Sequence, residues 1–129
     1  MILAALALAV AAPACEAYDT ALPRALAGWT RTGRRFDTGH SVTLPRRNGT
    51  VRATVRIRRA GIYGVALDSA AWIDVYPERG KALRPHSEPR VPACSTIRKI
   101  VRYRLRPGAY RVEVTRLKGT RARLMLVRY

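Results

Sequence analysis

Val101-Arg102-Tyr103-Arg104-Leu105, then Arg106-Pro107-Gly108, then Tyr110-Arg111-Val112-Glu113-Val114, then Lys118-Gly119-Thr120, then Arg121-Ala122-Arg123-Leu124-Met125-Leu126: this run decides the fold. In each of its three long segments apolar and polar residues alternate. A period of two marks a strand with one side on a core and the other in water, because successive side chains leave a strand on opposite sides. The Pro-Gly and Lys-Gly-Thr breaks supply turns. The pattern predicts three antiparallel strands over residues 97–105, 109–117 and 121–128, each with an apolar face and an arginine face.

Working outward, residues 50–58 repeat the pattern, with Val51, Ala53, Val55 and Ile57 on one side and Arg52, Thr54, Arg56 and Arg58 on the other. Asn48-Gly49 just before them tolerates the positive φ of a tight turn. Residues 62–67 read as a buried strand, 72–76 as a short one, and 40–44 as an edge strand closed by Pro45, which has no N–H to give a ladder. Residues 16–28 suit one helical turn ending at Gly28, with Trp29 as its anchor. Residues 84–95 hold three prolines and no period, so they read as a loop pinned at Cys94. About seven short strands with frequent turn signals predict an all-β fold, an antiparallel β-sandwich of jelly-roll or Greek-key type.

A chain of 129 residues suits one domain. Residues 1–14 are apolar and end in the small-x-small site Ala12-Pro13-Ala14, which predicts a signal peptide followed by a single β-sandwich over 15–129. The apolar stretch is too short for the ~20 residues of a membrane helix, so the mature protein is expected to be periplasmic or secreted. Cleavage after Ala14 would keep Cys15, which could then pair with Cys94 and close a loop of about 80 residues, worth on the order of 4 kcal/mol. Cleavage after Ala17 would leave Cys94 alone, as a small buried hydrophobe. Lipidation of Cys15 is a further alternative, although Ala12 stands where that signal wants a Leu-like residue.

The side chains comprise 25 bases against 8 acids, a net charge of +17, and 22 of the bases are Arg. Codon bias accounts for Arg over Lys but not for the shortage of acids. That shortage points to an anionic partner, since the guanidinium fork grips phosphate, sulfate and carboxylate bidentately.

Ala60-Gly61-Ile62-Tyr63, Trp72-Ile73-Asp74-Val75-Tyr76, Gly80-Lys81-Ala82-Leu83 and Leu105-Arg106-Pro107-Gly108-Ala109-Tyr110 together resemble the β-sandwich modules of the pre-peptidase C-terminal (PPC) type. Those modules share a-G-x-Y, an aspartate within an apolar strand, G-x-x-L and L-x-P-G-x-Y. The stretch from Ala71 through Cys94-Ser95 and Ile97-Arg98-Lys99 to Tyr110 also resembles small exported bacterial β-sandwich proteins. Both resemblances imply a non-catalytic binding or accessory module and supply no catalytic residues.

The candidate site is an arginine face made of Arg52, Arg56, Arg58, Arg102, Arg104, Arg111, Arg121 and Arg123. If their strands lie side by side, like charges oppose one another and an anion must intervene. Acidic glycans, lipopolysaccharide phosphates and other envelope polyanions are the expected partners, with nucleic acid unsupported because no aromatics interleave for stacking. If the strands belong to different sheets, the charges disperse. The enzyme alternative is a metal-dependent, dioxygenase-like site built on His40 and His86 with an acid such as Asp74; a third reading is a structural partner of an acidic envelope protein. His86-Ser87-Glu88 is no triad, since triads assemble in space rather than by adjacency. No metal or other cofactor is expected. Asp74 is read as an outward residue pairing with Arg, on a face shared with Trp72 and Tyr76.

Overall fold

The structure is a computed structural model that describes residues 2–7 and 14–129. Half of the expected leader, residues 1 and 8–13, lies outside the described residues. Seven strands follow one another: β1 (Val42–Pro45), β2 (Val51–Ile57), β3 (Gly61–Leu67), β4 (Trp72–Pro77), β5 (Lys99–Leu105), β6 (Gly108–Thr115) and β7 (Arg121–Arg128). The odd strands form one antiparallel sheet in the order β1-β7-β3-β5. The even strands form a second in the order β2-β6-β4. Every connection therefore crosses from one sheet to the other, the jelly-roll habit of an antiparallel sandwich.

This topology corrects the simplest picture of the C-terminal run. β5, β6 and β7 are strands as predicted, but none pairs with the next. β6 lies between β2 and β4, while β5 and β7 flank β3. A Pro-Gly break signals that the chain reverses; whether it reverses within a sheet or over the core is decided by what the corner packs against. At Arg106-Pro107-Gly108 the corner is fixed by Tyr110, whose hydroxyl donates to the Arg106 carbonyl at 2.7 Å and accepts from its N–H at 3.0 Å. Tyr63 donates to the Arg59 carbonyl at 2.8 Å in the same i to i−4 relation at the β2–β3 corner. Both are tyrosine corners of the kind found in sandwiches, and they give the two G-x-Y motifs a physical role. At residues 47–50 Asn48 and Gly49 both take positive φ, 51° and 78°. Arg47 and Thr50 exchange backbone bonds of 2.9 and 3.1 Å across that turn.

The inward faces of the two sheets meet in one core. Val65, Leu67, Val101, Tyr103, Leu124 and Leu126 come from the odd strands, and Val51, Ile57, Ile73, Val75, Val112 and Val114 from the even ones. The outer face of the four-stranded sheet is also covered. A 3-10 segment, Arg24–Thr30, lays Leu26 and the fully buried Trp29 over Ala66, Ile100, Met125 and Val127. It runs two residues past the predicted stop at Gly28, with Trp29 inside it. The Cys15–Cys94 disulfide forms and ties this N-terminal cover to the 84–95 loop.

Candidate functional site

Because odd and even strands present their outer faces to opposite sides of the molecule, the predicted arginine face is divided. Arg102 and Arg104 on β5 and Arg121 and Arg123 on β7 belong to the four-stranded sheet. Arg52 and Arg56 on β2, Arg58 just after it, and Arg111 on β6 belong to the three-stranded one.

Two of the first group are built into the structure. The Arg123 guanidinium lies over the Trp29 ring, 4.6 Å from its centre, and donates from Nε to Ser41 Oγ at 2.9 Å and from Nη2 to the Trp29 carbonyl. Arg102 packs against the Tyr129 ring at 4.0 Å. On the three-stranded sheet, register sets Arg52 opposite Glu113. One Glu113 carboxylate oxygen accepts from Arg52 Nε and from Arg111 Nε, each at 3.1 Å. Arg111 also lies over Tyr76 at 4.7 Å. Glu113, rather than Asp74, is the acid that meets these arginines. Asp74 accepts from Trp72 Nε1 at 3.1 Å.

The remaining arginines converge elsewhere. Along β2 the sandwich is open, and a cleft of about 1100 Å³ runs between β2 and the 34–38 loop. Arg34, Arg35, Arg52, Arg56, Arg58, Arg59 and Arg128 line it, all of them exposed. Asp37 is the single carboxylate among the lining residues, and half-buried Leu44 and Val55 with Phe36 provide an apolar floor. Among the described residues only Arg52 of these seven has an ion-pair partner. The six guanidiniums without an ion-pair partner repel one another, a repulsion that an anion in the cleft would relieve.

Local structure holds the walls of the cleft. β2 is an edge strand, so its alternation projects Arg52 and Arg56 beside the opening. The opposite wall is docked on β7 by the Leu126 N–H, which donates to the Asp37 carbonyl at 3.2 Å, and by buried Phe36. His40 donates from Nε2 to the Arg35 carbonyl at 2.8 Å. Gly33 lets the imidazole in, since a Cβ there would stand 2.1 Å from the ring. His40 is thus a positioning residue for the Arg34-Arg35 wall.

Arg52, Arg56 and Arg58 of the predicted set reach the cleft; Arg102, Arg104, Arg111, Arg121 and Arg123 do not. Arg34, Arg35, Arg59 and Arg128 are the members that sequence reasoning missed. Arg128 left a legible trace, because it continues the inward row Ala122, Leu124, Leu126. An arginine on the core side of a strand end marks a place where the core opens.

The two histidines do not converge. His40 precedes β1 at one edge of the four-stranded sheet. His86 lies beyond β5 at the other, where its N–H donates to the Arg102 carbonyl at 2.7 Å. The supporting segments are four strand spacings of about 4.8 Å apart, whereas two ligands of one metal sit about 2 Å from a shared point. Among the described residues no group of three His, Cys, Asp or Glu side chains is placed to hold a metal ion, and no helix is long and apolar enough to cross a membrane. No protein-family model matches the chain, and no curated protein matches it.

Proposed function

We propose that this protein is an exported, non-catalytic binding module that holds anionic polymer of the cell envelope in the cleft along β2. The observation that carries the reading is the lining itself, seven exposed guanidiniums to one carboxylate around about 1100 Å³. Guanidinium forks bind phosphate, sulfate and carboxylate alike, so the cleft is matched to dense negative charge rather than to one small molecule. An accessory role agrees with the resemblance to PPC-type modules. The Cys15–Cys94 bridge suits an oxidising compartment, the periplasm or the exterior. It also supports cleavage after Ala14, which retains Cys15, over lipidation, which needs the same sulfur.

Heparin serves as the probe. Retention at low salt is expected, with affinity falling steeply as salt rises. The double variant Arg56→Gln/Arg58→Gln, on the cleft, lowers the slope of log affinity against log salt by about two, roughly one per lost contact. The pair Arg104→Gln/Arg121→Gln removes the same charge from the other sheet and leaves the slope within experimental error. Equal losses from both pairs would show that net charge alone attracts heparin and would remove the cleft as the site.

A further inference from the structure

We infer that the anion received by the cleft is an extended acidic segment of polypeptide, which adds to β2 as an extra strand. The inference rests on the anion-binding reading above and narrows it to one chemistry.

β2 is one of the two outer strands of the three-stranded sheet. Thr50 gives both its N–H and its C=O to Arg47, on the side away from β6. Along an antiparallel strand the two backbone groups of a residue point the same way, and the direction alternates from residue to residue. The N–H and C=O groups of Arg52, Thr54 and Arg56 therefore also face away from β6, into the cleft, and no other described segment takes them.

The other sheet edges are partly taken or short. Beyond β5, Ser87 and Arg102 form a bridge. Beside β4, the Leu83 N–H donates to the Val75 carbonyl at 2.8 Å. β1 is only four residues long and ends at Pro45. Among the described strands β2 alone offers seven residues with no backbone partner on the outer side of Arg52, Thr54 and Arg56, the template that strand addition uses.

A strand laid beside β2 would alternate its side chains as β2 does. One set would lie next to Arg52, Arg56 and Arg58. The other would cover Val55, Leu44 and Phe36. The matching sequence alternates carboxylates with aliphatic residues. A sulfated or phosphorylated glycan matches the guanidiniums but has neither a ladder of peptide groups at strand spacing nor an aliphatic row for the apolar floor.

The test uses a labelled peptide of alternating Glu and Val, read by fluorescence anisotropy, with a block peptide of the same composition and heparin as comparisons. Two further peptides carry backbone N-methyl groups on either the odd or the even residues. Strand addition predicts that one methylated frame loses about tenfold or more in affinity and the other binds like the parent. Thr54→Pro removes an N–H that faces the cleft and spares the β6 ladder. It is expected to weaken the alternating peptide about tenfold and heparin less than twofold, with circular dichroism reporting that the fold is kept. The methylated peptides need no change in the protein, so the test survives if that variant misfolds. If both frames bind like the parent, or the block peptide binds equally well, the cleft reads charge alone and the strand proposal falls while the anion reading stands. If neither peptide nor heparin binds at low salt, both fall, and the arginines serve only to keep other strands off the edge.

Discussion

On the outer side of the four-stranded sheet Arg123 lies over Trp29 and Arg102 against Tyr129; on the free edge of the three-stranded sheet Arg56 and Arg58 stand open, with no ion-pair partner among the described residues. Both groups come from similarly alternating strands. The difference lies in what covers them. Over the larger sheet the N-terminal segment, tied down by the disulfide, gives Arg123 the ring and carbonyl of Trp29, the C-terminal Tyr129 ring covers Arg102, and both guanidiniums become part of the structure. Beside β2 no described residue covers Arg56 or Arg58 in this way, so their charge stays open to solvent. An arginine on a strand is structural or functional according to the layer above it, and that layer comes from distant chain.

The largest expected effect comes from removing the cover. Trp29 is fully buried, packs on the outer apolar row of the four-stranded sheet, and donates from Nε1 to Thr96 Oγ1 at 2.8 Å. Trp29→Ala should cost about 3–5 kcal/mol, while Arg56→Ala on the open edge should stay within about 0.5 kcal/mol. Urea unfolding midpoints measure both. A small loss at Trp29 would mean that the two faces do not differ in their dependence on a cover.

A finer comparison sets two arginines of one strand against each other. Arg123 and Arg121 are two residues apart on β7 and face the same side, but only Arg123 reaches Ser41 and Trp29. Arg123→Met keeps the apolar stem and loses the charged hydrogen bonds, and should cost about 2 kcal/mol. Arg121→Met should be neutral within about 0.5 kcal/mol. Equal costs would show that the hydrogen bonds to Ser41 and Trp29 contribute nothing net.

The strands were legible because alternation records which side chains face a core, and the structure has strands at all seven predicted places. Sheet membership was not legible, since facing the core looks the same from either sheet. Arg52 and Arg104 therefore belonged to one face on paper and stand on opposite sides of the molecule. Arg56 and Arg58 were found because their strand is regular, but that β2 is a free edge follows only from where β6 and β4 go. Arg34 and Arg35 sit in a loop with no period to read, held by His40 and Phe36. The Cys15–Cys94 bridge was legible from an even cysteine count beside a predicted signal peptide, and Trp29 as an anchor from its place after the helical turn.

The smallest expected effect concerns how the cover itself is held. Asp19 takes positive φ, 60°, and its carboxylate accepts from the Thr96 N–H at 2.9 Å and from the Thr96 hydroxyl, which in turn accepts from Trp29 Nε1. Burial pushes the Asp19 carboxyl up, but the hydrogen bonds from Thr96 and Ser95 and the charge of Arg123 together outweigh it, and the net shift is downward. Folded Asp19 therefore holds its proton less tightly than the unfolded chain does. Its contribution to stability is complete above the unfolded value of about 3.9 and drains away as the pH falls through the lower folded value. Asp19→Asn keeps one acceptor oxygen and discards the titration. The variant should be less stable than the parent at pH 7, and the gap should close as the pH falls below about 4. Urea midpoints at pH 7 and in acid measure the gap; one that stays constant with pH would mean that the Asp19 charge does not hold the cover in place.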